Sequence, residues 1–75
     1  MPKIPILKPQ TVIQALQRGG FVIHHYTGSH ARLVHATDAK RKVTVPVHNK
    51  DIPNGTMANI LKQAQLTVEE LINLL

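Results

Sequence analysis

A chain of 75 residues holds one small domain, since independent cores usually occupy roughly 100 to 200 residues, and dinucleotide-binding folds and barrels are excluded. Hydrophobic residues make up 43%, enough for collapse, and the absence of cysteine removes disulfides, thiolate zinc sites and cysteine nucleophiles together. Nine Lys and Arg against four Asp and Glu give +5, unevenly placed: residues 1–50 carry +7 and all five histidines, residues 51–75 carry −2, so the basic end is suited to a polyanion.

No run approaches the roughly 20 apolar residues of a membrane span, and the start Met1-Pro2-Lys3-Ile4-Pro5 has no signal-peptide core, so a soluble cytoplasmic protein is expected. Val12, Ile13 and Leu16 follow helical spacing and predict a first helix over Lys8 to Arg18, with Pro9 in its first turn and Gly19-Gly20 as its stop. Three strands are predicted next, Phe21 to Tyr26, Ala31 to Ala36 and Lys42 to Val47, separated by turn-like Thr27-Gly28-Ser29 and Thr37-Asp38-Ala39-Lys40. Together they make an antiparallel meander. After a Pro53-Asn54-Gly55 break, Met57, Ile60 and Leu61 share one side of a helix over Thr56 to Ala64. A last helix begins at Thr67, where Thr67 and Glu70 form a capping box. The order is α-β-β-β-α-α, an α+β domain over residues 1–75.

A three-residue turn in the first hairpin sets Tyr26 opposite His30, His24 opposite Arg32 and Val22 opposite Val34, on one face. Phe21, Ile23, Ala31 and Leu33, with Val43, Val45 and Val47, take the other, which the helices must cover because it alone is continuously apolar. The open face then carries Tyr26, His24, His30, Arg32 and Lys42. A ring for a base and cations for phosphates suit single-stranded RNA. Ser29 in the turn and the cations Lys40, Arg41 and Lys50 extend this candidate RNA-binding set.

Five histidines invite a metal reading, and three imidazoles could hold zinc. Against it, His24 and His25 are expected on opposite faces of a strand, and no carboxylate stands near them in sequence to orient a ring. His25 and His35 read more simply as rim histidines of the covered face. Ser29, beside His30 with no Asp close by, is a poor triad serine. Metal-free RNA cleavage asks for less, because the nucleophile is the substrate's own 2′-hydroxyl and the protein need supply a base, cations and alignment. Neither a metal nor a cofactor is expected.

Gly20-Phe21, Thr27-Gly28-Ser29-His30, Val43-Thr44-Val45-Pro46-Val47-His48 and Gly55-Thr56-Met57-Ala58-Asn59-Ile60-Leu61-Lys62-Gln63-Ala64, in that order over nearly the whole chain, resemble the HicA family of toxin ribonucleases. The resemblance implies a double-stranded-RNA-binding-domain-like fold, cleavage of messenger RNA without a metal, and neutralisation by a HicB-type antitoxin. It also implies that His30, from the Gly-Ser-His motif, is catalytic; His24 and His48, the latter in the Pro-x-His pattern with Pro46, are auxiliary candidates. Gln65 stands where the family usually has glycine. The helix opening at Gly55 carries Lys62 alone, whereas duplex-binding domains of this shape grip RNA with a lysine-rich helix start. The sheet face and hairpin turn are therefore the expected contact. The amides of that helix start could hold one phosphate, although a cap by Asn54 or Thr56 is the plainer reading. A bacterial toxin whose acidic antitoxin covers the basic face and His30 is expected; the other reading is a non-catalytic RNA-binding module.

Overall fold

The computed structural model describes residues 3–75. Its elements are α1 (Pro9–Arg18), β1 (Phe21–Thr27), β2 (His30–His35), β3 (Lys42–Pro46), α2 (Asn54–Ala64) and α3 (Val68–Leu74). The strands form one antiparallel sheet in the order β1-β2-β3. This is the α-β-β-β-α-α order and the α+β class expected from the pattern.

The core lies between one sheet face and the helices. Val12, Ala15 and Leu16 of α1, Ala31 and Leu33 of β2, Val43 and Val45 of β3, Met57 and Ile60 of α2 and Leu71 of α3 are all buried. Their spacing explains the elements: alternate residues in the strands and a period near 3.6 in the helices bring every one of them to the same layer. Ile52, also buried, anchors the connection before α2, where its amide donates to the Leu7 carbonyl at 2.9 Å.

The helix ends show how the chain turns between layers. Pro9 sits in the first turn of α1, and Gly20 adopts a φ of 96° after its last residue, a region costly to side-chain-bearing residues. The helix α2 starts two residues earlier than its pattern predicts. Pro53 is its N-cap and makes no side-chain cap bond, so neither Asn54 nor Thr56 caps it; both lie inside the first turn, whose amides have no intrahelical acceptor in any case. At the other end Gln65 takes a left-handed φ of 58°. Its amide donates to the Lys62 carbonyl at 3.2 Å, and that of Leu66 to the Leu61 carbonyl at 3.0 Å, the two bonds of a Schellman motif. Here the backbone bonds hold a non-glycine residue in a glycine conformation. The capping box of α3 forms as expected: the Glu70 amide donates to the Thr67 hydroxyl at 3.1 Å, and the Thr67 amide to the Glu70 carboxylate at 2.9 Å.

The register of the first hairpin corrects the predicted one. Thr27 pairs with His30, Tyr26 with Ala31 and His25 with Arg32, whereas Ile23 pairs with Leu33 and Val22 with Val34. The turn therefore has two residues, Gly28 and Ser29, with Gly28 at a φ of 57°, the positive φ that tight hairpin turns need. The residue gained is absorbed by a bulge at His24. Val22 keeps its predicted partner, but Tyr26 moves to the face of Ala31.

Candidate functional site

His30 opens β2 beside the hairpin turn, with Thr27 across from it on one side and Pro46 on the other. The next residue, Ala31, is fully buried, so strand alternation aims His30 at the opposite, open face. His30 is exposed there. The same face carries the cross-strand row His25, Arg32 and Thr44, then Val22, Val34 and Lys42.

The open face ends at β3, and α2 runs along that edge. The outward amide of Thr44 donates to the Gln63 side-chain oxygen at 3.1 Å, so an amide side chain satisfies a strand edge that would otherwise be bare. Between β3 and α2 lies a groove of about 420 Å³, bounded by His30, Thr44 and His48 on one side and Thr56, Asn59 and Gln63 on the other. His30 thus stands where the cationic face meets this groove.

His48 is brought there by backbone bonds. The Val47 amide donates to the Ser29 carbonyl at 2.6 Å, tying the end of β3 to the hairpin turn. The loop that follows is held by Lys8, whose ammonium donates to the Asn49 carbonyl at 3.1 Å and faces the Asp51 carboxylate at 3.2 Å. The Lys50 amide donates to Nδ1 of His48 at 3.2 Å, and a ring accepting at Nδ1 carries its hydrogen on Nε2.

The other candidates divide. Ser29, Arg32, Lys40, Lys42 and Lys50 are exposed; Arg32 and Lys42 line a second hollow, of about 220 Å³, with His24 and His25. The bulge overturns the expectation that those two histidines point to opposite faces. Their Nδ1 atoms are 2.6 Å apart and the rings 4.9 Å, a distance at which one nitrogen donates and the other accepts. His25 accordingly belongs to the open face, while His35 is on the covered face as expected, its ring edge-on to Phe21 at 5.1 Å. Tyr26, 58% exposed, pairs with buried Ala31, so it is on the covered side of the sheet and does not share a face with His30.

Arg41 has a structural position. Its Nε donates to the Ala64 carbonyl at 2.8 Å, and its guanidinium lies 5.2 Å from the centre of the Phe21 ring. Among the described residues no three His, Asp or Glu side chains gather as a metal-holding group, and no helix is long and apolar enough to cross a membrane.

The sequence names Thr56 only as a candidate helix cap and Asn59 and Gln63 only as parts of a longer motif, and assigns none of the three to the site. Their spacing of three and four residues places them on one helical face, but a polar stripe opposite Met57, Ile60 and Leu61 reads as a solvated surface until the edge of β3 is seen beside it.

Among curated proteins none matches the chain. Residues 9–66 match the family model of the HicA toxin of bacterial toxin-antitoxin systems, and that match runs from the start of α1 through the Schellman turn after α2, taking in the hairpin, His30 and the whole groove. The chain belongs to the HicA toxin family, as the toxin component of a toxin-antitoxin pair.

Proposed function

We propose that this toxin is a metal-independent ribonuclease that cleaves messenger RNA, with His30 as general base. The observation that supports it is the position of His30, an exposed imidazole where a cationic sheet face meets a groove. Histidine is the side chain whose unperturbed titration lies nearest neutrality. His30 takes the proton of the 2′-hydroxyl, the 2′-oxygen attacks phosphorus, and the 5′-oxygen leaves, taking a proton from solvent. The products are a 2′,3′-cyclic phosphate and a 5′-hydroxyl.

Arg32 and Lys42 hold the neighbouring phosphates across the sheet, with Lys40, Lys50 and the Ser29 hydroxyl at its margins. His48, its Nδ1 engaged by Lys50, offers its Nε2 hydrogen to a phosphate oxygen, and His24 belongs to the second hollow with Arg32. Tyr26 and Arg41 contribute less to this surface, given the covered side on which Tyr26 lies and the contacts that hold Arg41. The antitoxin partner is a HicB-type acidic protein that covers His30 and the basic face in the bacterial cytoplasm.

The test compares the wild-type chain with His30→Ala. Expressed alone, the wild type arrests growth and shortens RNA; the variant does neither, while its stability stays within about 1 kcal/mol because an exposed strand-end side chain has little packing to lose. Cleavage at the wild-type rate by folded His30→Ala removes His30 from the mechanism. RNA bound but left intact by the wild type makes the protein a binding module, and 5′-phosphate product ends indicate a water nucleophile and a different reaction.

A further inference from the structure

The groove between β3 and α2 differs chemically from the rest of the surface. Among the described residues no lysine or arginine lines it, in a protein of net charge +5. One side carries His30, Thr44, Pro46 and His48; the other combines Pro53 and the side of Ile60 with the neutral polar groups of Thr56, Asn59 and Gln63. That α2 side, away from the two histidines, is unsuited to a phosphate, which asks for cations or clustered amides. An uncharged planar ring with hydrogen-bonding edges fits it: apolar contact for the ring face, side-chain amides for the edge. The volume, about 420 Å³, falls in the range of sites that hold small organic ligands.

We infer that this groove is a nucleobase-binding subsite, in which Asn59 and Gln63 read the edge of one base of the RNA strand whose phosphate lies at His30. The inference rests on the ribonuclease reading for the identity of the strand, and it makes α2 a determinant of cleavage-site preference. The two amides have different freedom. Gln63 has its oxygen engaged by the Thr44 amide, so its NH2 group is the free donor and it seeks an acceptor on the base. Asn59, one turn earlier and exposed, offers both a donor and an acceptor. Thr56 adds a hydroxyl at the end near Pro53. Because Gln63 also closes the edge of β3, its replacement would disturb the fold, so Asn59 is the residue to change. Asparagine is a poor helix former and alanine the best, which makes Asn59→Ala safe for α2.

The experiment is a titration of the isotope-labelled protein, followed by NMR, with each of the four nucleoside 3′-monophosphates and separately with inorganic phosphate. A preferred nucleotide is expected to shift the side-chain amide signals of Asn59 and Gln63 together with His30, and phosphate to shift His30 without those amides. Asn59→Ala should weaken the preferred nucleotide by roughly fivefold or more, the low end of what a paired amide contact discriminates, and leave phosphate binding as it was. In parallel, the cleavage sites of both proteins are mapped on one long RNA; a preference at one position beside the cut bond should relax in the variant. Identical shifts from nucleotide and phosphate, no nucleotide binding at millimolar concentration, or an unchanged affinity in Asn59→Ala overturns the subsite. If the wild type leaves RNA intact yet the nucleotide still shifts the amides of Asn59 and Gln63, the ribonuclease reading falls and the base subsite stands.

Discussion

Replacing Arg41 by alanine separates a structural cation from an RNA-contacting one, two roles that charge alone does not distinguish. Its Nε donates to the carbonyl of Ala64, the last residue of α2, at 2.8 Å and in a partly buried position. That carbonyl belongs to the group at a helix C-terminus that has no intrahelical partner, and a cation there also opposes the helix dipole. A hydrogen bond with a charged partner contributes about 1.5 to 3 kcal/mol. The guanidinium over Phe21 adds at least about 0.5 to 1 kcal/mol, the lower end of the range for such contacts. Taking the lower part of each range for partial exposure gives a loss of about 2 kcal/mol in Arg41→Ala. For a domain of this length, that is a fall in Tm of about 8 to 16 °C. Arg41→Lys keeps the charge but not the planar fork, and should recover less than half of the loss. Lys42→Ala, on the open face, should stay within about 0.5 kcal/mol of the wild type. Thermal unfolding followed by circular dichroism measures all three. If Arg41→Ala unfolds with the wild type while its RNA affinity drops as far as that of Lys42→Ala, the structural assignment is wrong and Arg41 belongs with the RNA-contacting cations.

Two further predictions concern the helix termini. In the folded protein the Thr67 amide, and after it the Thr67 hydroxyl, hold the Glu70 carboxyl below its ordinary value. A depressed folded value means that the contribution is present above the unfolded value and is lost as pH falls through the folded one; the wild type should therefore lose stability relative to Glu70→Gln on acidification, in parallel denaturant titrations, and curves that stay parallel count against the capping box. At the left-handed Gln65, φ 58°, glycine removes the Cβ penalty but enlarges the unfolded ensemble, so Gln65→Gly should gain about 0.5 kcal/mol; a loss of stability by denaturant melts would mean that the Gln65 side chain stabilises the turn in its own right.

Much of this molecule is legible in the order of its residues. Helical spacing in Val12-Ile13-Leu16 and in Met57-Ile60-Leu61, alternation in the strands, and the Thr67 and Glu70 box are local patterns, and each reports its element because secondary structure depends on neighbours a few residues away. The uneven charge marks the basic half in the sequence, and within it the resemblance of Thr27-Gly28-Ser29-His30 to the HicA family is what points to His30. Tertiary structure decided what depends on residues distant in the chain. The sequence reads as a three-residue turn, one residue too long, and since a shift of one residue exchanges the faces of a strand, the two-residue turn with its bulge at His24 puts Tyr26 away from His30 and His24 against His25. Arg41 looked like its neighbours until folding placed the end of α2 within its reach. The groove beside His30 exists only because α2 closes the edge of β3, across 19 residues from Thr44 to Gln63; no pattern within either element carries that contact, because it is set by how the buried faces of sheet and helix fit together.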